Sequence, residues 1–251
     1  MDKQSDIIWL EQTDSTNRYA KDNFDALSDG TLALAEAQTA GKGRLGRVWQ
    51  SPAGQNIYAS FVMKNSSNPG YASMAASLGA LKVLREVAPE VKCWLKWPND
   101  IYCRDKKIAG ILCETKTGSG NVIVGIIAGM GININMPPEE LANIDQPATS
   151  LLNETGKKYN LKKIAEKLAI SLLGYYIMHS NFPNELYACW KQENLLIGQT
   201  VDILTGKDVL RGKIADLGPD GEIIFDTGHG TLKLYSGDVK IEKSSLDFSL
   251  F

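Results

Sequence analysis

The sequence predicts an α+β protein in which a mixed α/β domain, built on a central mixed β-sheet flanked by helices, precedes a small β-barrel. Strand-like and helix-like segments follow one another as far as about residue 195. Residues 121–135 are nearly all apolar, which is typical of a central strand covered on both faces. Beyond Leu196 only short strand-like segments separated by turns remain, and this pattern is typical of a small barrel.

The elements of the first part follow from hydrophobic periodicity and from capping and breaking residues. Strands are predicted at 7–11, 31–38, 57–63, 91–96, 107–115 and 121–135. Helices are predicted from a cap at Asp14 or Ser15 to about Leu27, and at 71–87, 161–179 and 183–192. The loop at 137–147 is expected to contain one helical turn.

The second part consists of five predicted strands, at 201–204, 209–217, 222–226, 231–234 and 238–241. Turns such as Pro219-Asp220-Gly221 separate them. About 55 residues of this kind are too few for a very stable independent core. The predicted domains are therefore residues 1–195 and residues 196–251.

Composition argues against several classes of protein. A net charge of −2 is unlike that of a general nucleic-acid binder, which needs many unopposed cations. The polar start shows no signal peptide and no run reaches roughly 18 apolar residues, so a cytoplasmic location without membrane contact is expected. The cysteines lack metal or redox spacing and are expected to be small core residues; they are Cys93, Cys103, Cys113 and Cys189. With only two histidines, far apart, no metal site is predicted.

The segment 41–49, GKGRLGRVW, is the most informative part of the chain. Glycines let backbone N–H groups approach a ligand, and the interleaved Lys42, Arg44 and Arg47 supply positive charge. The loop follows a predicted strand that ends near Gln38. A small, strongly negative ligand is therefore predicted at this loop, with a mobile basic surface turn as the alternative.

Three further segments carry polar residues at the ends of predicted strands. In KWPND (96–100), Pro98 stiffens the chain and would hold Lys96, Asn99 and Asp100 in place. Lys107 begins the next strand, and Gly110 within that strand indicates a bulge or the close approach of a ligand. Asn133 and Asn135 end the long apolar strand, where burial would demand partners.

The segment Asp14-Ser15-Thr16-Asn17 opens the first helix. Its simplest interpretation is N-capping. A helix start rich in short polar side chains also suits an amide-like or ureido group, which Gln38 could reach as well.

Together these motifs resemble those of the biotin protein ligases. The resemblance runs through DSTN (14–17), Gln38, GKGRLGR-W (41–49), KWPND (96–100), KKIAG (106–110) and GMGININ (129–135), in this order. It covers about 13–135 and continues more weakly to the end. It implies a class II synthetase-like catalytic domain over 1–195 and an SH3-like C-terminal barrel over 196–251. Because a strand begins by residue 7, no room is expected for the helix-turn-helix domain of the repressor-type members.

The resemblance also implies roles for individual residues. Ser15, Thr16, Asn17 and Gln38 match the contacts to the biotin ureido head, and Lys42-Gly43-Arg44 matches the family's Arg-Gly-Arg loop. Lys107, beside Gly110, matches the lysine that touches both the biotin carboxylate and the α-phosphate. The implied nucleotide side comprises Lys42, Arg44, Arg47, Trp49, Lys96, Asn99, Lys107 and Asn133. Arg44, Lys107 and Asp100 are the implied catalytic residues. Lys42 stands where arginine is usual and Leu45 where a second basic residue is usual, so looser retention of the adenylate is expected.

The implied reaction uses biotin, ATP and Mg²⁺, forms biotinyl-5′-AMP, and biotinylates a lysine of a biotin carboxyl carrier protein or domain of a carboxylase. No DNA binding is expected, and the chain would be a monomer or a homodimer. Two alternatives stay open at this point. One is a lipoate–protein ligase or lipoyl/octanoyl transferase, and the other is a nucleotide- or RNA-binding module without catalysis.

Overall fold

The computed structural model describes residues 6–206 and 208–240. Its strands are β1 Ile7–Thr13, β2 Leu32–Gln38, β3 Ile57–Met63, β4 Cys93–Lys96, β5 Asp100–Cys103, β6 Lys106–Thr117, β7 Ile123–Ile132, β8 Thr200–Thr205, β9 Asp208–Leu217, β10 Ile223–Asp226, β11 Thr231–Leu234 and β12 Asp238–Lys240. Its helices are α1 Thr16–Asp22, α2 Pro69–Val87, α3 Pro138–Leu141, α4 Leu151–Thr155, α5 Leu161–Asn181 and α6 Pro183–Gln192.

The first seven strands form one mixed sheet in the order β1-β2-β3-β7-β6-β5-β4. β1 and β2 pair in parallel, and the other neighbours pair antiparallel. The predicted mixed sheet flanked by helices is therefore confirmed. The two longest helices, α2 and α5, begin where an asparagine side chain accepts hydrogen bonds from free backbone N–H groups. Asn68 accepts from Gly70 and Tyr71, and Asn160 accepts from Lys163.

The two faces of this sheet are covered differently. Helices α2, α5 and α6 pack together over one face, where Phe61 and Met130 belong to the main core. Helix α1 lies on the other face with a smaller apolar cluster that includes Phe24, Val62 and Ile127. Because neighbouring residues of a strand point to opposite faces, β3 and β7 contribute to both clusters.

Strand β7 is nearly all apolar, as predicted, but three of its positions on the α1 face are glycines: Gly125, Gly129 and Gly131. A Cβ at these positions would overlap the Phe24 ring, the Asn17 amide and the Trp49 indole respectively. The glycines thus allow other side chains to lie directly on the sheet.

The second sheet is antiparallel, in the order β11-β10-β9-β8-β12. It is linked to the first part by hydrogen bonds from Trp97 Nε1 to Gly221 O (2.7 Å) and from Tyr187 OH to Leu217 O (2.6 Å). A small all-β unit at the C-terminal end is confirmed in this form, whereas the domain boundary at 195/196 stays a prediction. Ile241, the predicted last residue of the fifth strand, and the rest of 241–251 lie outside the described residues.

Three sequence predictions are corrected. Strand β5 was not predicted, because four residues between a proline-containing turn and a second turn show no usable periodicity. The first helix ends at Asp22 rather than near Leu27, and the chain continues in turns. Strand β7 ends at Ile132 rather than at residue 135, because Asn133 and Asn135 bond to the segments that follow.

The cysteines are free thiols with different degrees of burial: Cys93 and Cys103 are buried, as predicted, but Cys113 and Cys189 are only partly so. No helix among the described residues is both long and apolar enough to cross a membrane.

Candidate active site

A buried polar network joins the start of α1 to the sheet beneath it. Gln38 Oε1 accepts from the Thr16 N–H (2.9 Å) and from Thr16 Oγ1 (3.2 Å). Asn17 Nδ2 donates to Leu112 O (3.1 Å) and to Glu114 Oε2 (2.7 Å). Ser15 is buried at the N-cap position and makes no side-chain capping bond. The structure therefore brings together the predicted residues of the DSTN motif and Gln38.

Two members of this network were missed by sequence analysis. Ser60 Oγ donates to Asn17 Oδ1 (2.6 Å) and lies 2.8 Å from Thr16 Oγ1, and Glu114 accepts from Asn17 on its other side. The only signal for Ser60 was a small polar residue in a largely apolar strand, and Glu114 lies in the polar end of β6, where nothing sets it apart. The buried polar network is hereafter Thr16, Asn17, Gln38, Ser60 and Glu114.

The glycine-rich loop forms a small hairpin at the end of β2. Gly43 N–H donates to Arg47 O (2.8 Å) and Trp49 N–H donates to Gly41 O (2.9 Å). Leu45 at its tip has a φ of +56°, a region that non-glycine residues rarely adopt. Lys42 and Leu45 are exposed there, so these two departures from the family pattern lie on the solvent side of the loop.

Trp49 ends this loop and lies on the glycines of the sheet. Its indole covers Gly131, and a Cβ at Gly110 would come 3.1 Å from the indole Cζ3 atom and 3.1 Å from Lys107 Cε. Two side chains of the protein thus approach Gly110 closely, and the approach of a ligand there stays a prediction. Trp49 Nε1 is buried and has no hydrogen-bond partner among the described residues. A buried donor of this kind suits a ligand oxygen.

Gln38 connects the buried polar network to Trp49. Its Nε2 donates to Ser51 Oγ (2.9 Å), and Ser51 Oγ donates to Trp49 O (3.0 Å). Gly41 lies against the same atoms, since a Cβ there would come 2.7 Å from Ser51 Oγ. The strand end and the loop are therefore held in one hydrogen-bonded arrangement.

The predicted catalytic residues lie in a continuous chain of contacts. Lys107 Nζ is 2.7 Å from Asp100 Oδ1 and 5.5 Å from the centre of the Trp49 ring. The neighbouring Asn99 accepts from Arg44 Nη1 (2.9 Å), while its own amide donates to Ile111 O. Both Lys107 and Asp100 are largely buried, at 13% and 16% side-chain exposure, so their charges are poorly screened.

A second carboxylate reaches this place from the C-terminal sheet. Asp238, the first residue of β12, forms an ion pair with Arg47 of the loop. Sequence analysis missed it because no local pattern marks a residue about 190 positions away from its partner. The cations Arg44, Arg47, Lys96 and Lys107, with the carboxylates Asp100 and Asp238, are hereafter the cation group.

Positive charge is in excess in the cation group, with four cations against two carboxylates. Burial lowers the pKa of Lys96, with a further lowering by Lys107 and opposition from Asp100. Burial likewise lowers the pKa of Arg44, against the opposing effect of Asp238 and Asp100. Lys96 Nζ donates to Tyr102 OH (3.2 Å), a neutral partner. Like charges this close favour the binding of an anion.

Asn133 lies apart from this chain of contacts. Its side chain is buried and donates to Thr149 O (3.1 Å), and its backbone N–H donates to Ile108 O (2.8 Å). Asn135 exchanges bonds with the backbone of Tyr159. The partners that these asparagines require are thus supplied by the chain that follows, and a nucleotide contact of Asn133 stays a prediction.

Within 6–206 and 208–240, no group of three or more His, Cys, Asp or Glu residues is arranged to hold a metal ion. A Mg²⁺ ion that arrives with ATP phosphates would find both carboxylates of the cation group ion-paired, Asp100 with Lys107 and Asp238 with Arg47.

Residues 9–133 match the Biotin/lipoate A/B protein ligase family. The chain is 33% identical over 247 residues to the biotin--[acetyl-CoA-carboxylase] ligase of Mycobacterium tuberculosis, covering 94% of this chain and 88% of that protein. It is 30% identical over 243 residues to the bifunctional ligase/repressor BirA of Bacillus subtilis, covering 94% and 74% respectively.

Among solved structures, the biotin protein ligase of Aquifex aeolicus in complex with biotin and ATP superposes with a TM-score of 0.78. It shares 31% sequence identity, and the match covers 94% of this chain and 97% of that chain. The catalytic part and the C-terminal sheet are therefore both represented in that fold.

Proposed function

The chain belongs to the biotin protein ligase family, and on that premise we propose that it activates biotin with ATP and transfers it to a lysine of an acceptor protein. The observation that carries the proposal is the placement of Lys107 beside Trp49 and Asp100, with Arg44 on the neighbouring Asn99, at the end of a glycine-floored surface that begins at Asn17. The buried polar network and an excess of cations thus lie at two ends of one site.

The buried polar network suits the ureido head of biotin. Ser15, Thr16 and Asn17 at the start of α1, with Gln38, offer hydroxyl, amide and carbonyl groups of the kind that pair with a urea. The carboxylate end of biotin would then extend along the glycines toward Lys107 and Gly110. None of these contacts requires a charge on the ring system of biotin.

In the first step two anions must meet, because the biotin carboxylate attacks the α-phosphorus of ATP and pyrophosphate leaves. At about 4 Å and an effective dielectric constant near 20, one like-charge pair costs about 4 kcal/mol. Lys107 and Arg44 oppose this repulsion and stabilise the charge that develops on the α-phosphate. The nucleotide side would be completed by Lys42, Arg47, Trp49, Lys96, Asn99 and Asn133, and Gly43 would contact biotin.

In the second step the acceptor amine must be neutral to attack biotinyl-5′-AMP, and AMP leaves. Asp100 is the carboxylate nearest to Lys107 and would orient that amine or accept its proton. The glycine-rich hairpin would close over the adenylate and exclude water that hydrolyses it. Mg²⁺ accompanies ATP as part of the substrate and supplies charge neutralisation of the phosphates.

The proposed acceptor is a biotin carboxyl carrier protein or domain. The curated relatives named for acetyl-CoA-carboxylase support this choice. Among the sequence alternatives, the same names favour biotin over lipoate. The cytoplasmic location, the absence of DNA binding and the choice between monomer and homodimer stay predictions.

The test is pyrophosphate release with ATP and Mg²⁺, measured with biotin, with lipoate and without either acid. Lys107→Ala is compared with Lys106→Ala, since Lys106 is the exposed neighbour in the same strand. We expect release that depends on biotin, is lost in Lys107→Ala and persists in Lys106→Ala. Release with lipoate alone would assign the chain to lipoate chemistry, and no release with either acid would contradict the proposed activity.

A further inference from the structure

Two cysteines face each other across the hairpin that carries part of the site. Cys93 of β4 and Cys103 of β5 are register partners in an antiparallel pair. The segment between them contains Lys96, Asn99 and Asp100. Both cysteines are free thiols, with 4% and 2% exposure.

The hydrogen-bonding direction of β4 identifies the type of this pair. Cys93 O accepts from Arg85 Nη2 (2.9 Å), and the Leu95 N–H donates to Glu193 O (2.9 Å). Both groups point away from β5, so Cys93 and Cys103 form a non-hydrogen-bonded pair. In such pairs the Cα atoms lie about 4.5 Å apart and the side chains are closest. A disulfide requires Cα atoms roughly 4.4–6.8 Å apart, and this pair falls within that range.

The two side chains also touch. The contact with Cys93 and burial raise the pKa of the Cys103 thiol, so the reactive thiolate is scarce while the hairpin is closed. The strand β4 is the edge strand of the seven-stranded sheet, held on its outer side by the bond from Leu95 N–H to Glu193 O, and peroxide reaches the sulfurs when this edge opens. The described residues bring no third Cys, His, Asp or Glu to this pair in a metal-holding group.

We propose that Cys93 and Cys103 are an oxidisable dithiol that forms a disulfide across the β4–β5 hairpin when the chain meets a peroxide. One thiolate attacks a peroxide oxygen, the O–O bond breaks, and a sulfenic acid and hydroxide form. The second sulfur then displaces the sulfenic hydroxyl, which leaves as water while the S–S bond forms. The two sulfurs are oxidised together by two electrons, and hydrogen peroxide is reduced to two molecules of water.

The disulfide would close the loop that holds Lys96, Asn99 and Asp100. In the thiol form this hairpin is limited only by non-covalent contacts at a sheet edge, whereas in the disulfide form it cannot fray. The effect on activity rests on the proposed function, but formation of the disulfide does not. Because the thiolate is the reactive form, oxidation should accelerate as pH rises.

The experiment treats the purified full chain with hydrogen peroxide, then denatures it and alkylates the remaining thiols. We expect an intact mass lower by two hydrogens before alkylation, two alkylated cysteines out of four, and a linked peptide that joins Cys93 to Cys103. Cys113 and Cys189 should stay alkylatable. The melting temperature of the oxidised chain should rise by roughly 3–8 °C.

Cys103→Ser removes one partner, and Cys113→Ser is the matched control. We expect the linked peptide to disappear in the first variant and to persist in the second. If Cys103→Ser does not fold, Cys93→Ser takes its place. If neither variant folds, peptide mapping of the unsubstituted chain decides. The proposal is overturned if Cys93 and Cys103 stay alkylatable at complete peroxide consumption, or if the linkage joins any other pair. Pyrophosphate release is measured separately, so that a failed ligase assay does not affect this result.

Discussion

The buried polar network and the cation group lie at two ends of one surface but are held in different ways. In the network, Ser60 is completely buried and each member bonds to another member. In the cation group, the Arg47 side chain is 57% exposed, and four cations share two carboxylates. The hydrogen-bonding groups of the network are satisfied by the protein itself, whereas the cation group is left with an excess of positive charge.

This difference predicts two separable kinds of damage. Removing a member of the buried polar network leaves partners unpaired inside the protein, so stability and binding fall together. Removing Arg44 or Arg47 relieves repulsion or breaks an exposed pair and costs little stability, whereas Lys107 belongs to a largely buried pair. The excess positive charge of the cation group is therefore available to an anionic ligand, because the carboxylates of the protein do not neutralise it.

The largest expected effect is that of Arg44→Ala at the cation group. We expect biotin-dependent pyrophosphate release to slow by roughly 10²–10³-fold, since one charge-stabilising contact to the reacting phosphate is lost. The melting temperature should change little. Lys82→Ala serves as the control, because Lys82 is an exposed residue of α2, on the opposite face of the sheet. This substitution should change neither the rate of pyrophosphate release nor the melting temperature.

Asn17→Ala tests the buried polar network, at the other end of the site. Its loss removes the hydrogen bond to Glu114 and leaves Ser60 with Thr16 alone, so we expect the free energy of unfolding to fall by about 1–3 kcal/mol. The KM for biotin should rise in the same variant. Asn23→Ala, at the exposed end of the same helix, is the matched control. An unchanged melting curve for Asn17→Ala would show that the network does not contribute to stability.

A change in ionic strength should alter ligand affinity several-fold at the cation group and hardly at the buried polar network. Between about 50 and 500 mM NaCl, screening weakens attraction between the cation group and ATP phosphates, so the Kd for ATP should rise. Binding of biotinol, an uncharged analogue of biotin, depends on the buried polar network and should hardly change. Calorimetric titrations of both ligands test this, and equal salt dependence would remove the distinction.

The smallest expected effect is a change with pH at Lys96. Burial lowers the pKa of this lysine, so it loses its charge at a lower pH than an ordinary lysine. The cost of burying the charge is present below the folded-state pKa and is relieved as pH rises through it. Between pH 7 and about 10, below the ordinary lysine pKa, ATP affinity should fall while this contribution to stability improves. Lys96→Met should flatten the pH profile of ATP affinity, and a profile that keeps its slope would assign the titration elsewhere.

Much of the fold could be predicted from sequence where local periodicity is strong. The limits of β3 at 57–63 and of α6 at 183–192 agree with prediction, and α2 differs by two residues at its start. Strand β5 was missed because it has only four residues between two turns, and its last three are all buried, so no alternation marks it. The glycines of β7 were taken as part of an apolar strand, because a pattern of residue types does not say which neighbour lies over each glycine.

The candidate site divides in the same way. The sequence by itself determined that a glycine-rich cationic loop follows β2, that a strand begins within one residue of Lys107 and that polar residues open α1. These features depend on residue types a few positions apart. Only the tertiary structure decided that Glu114 and Ser60 hold Asn17 and that Asp238 pairs with Arg47. Those contacts depend on the register of distant strands and on the packing of the second sheet, which no local pattern of side chains specifies.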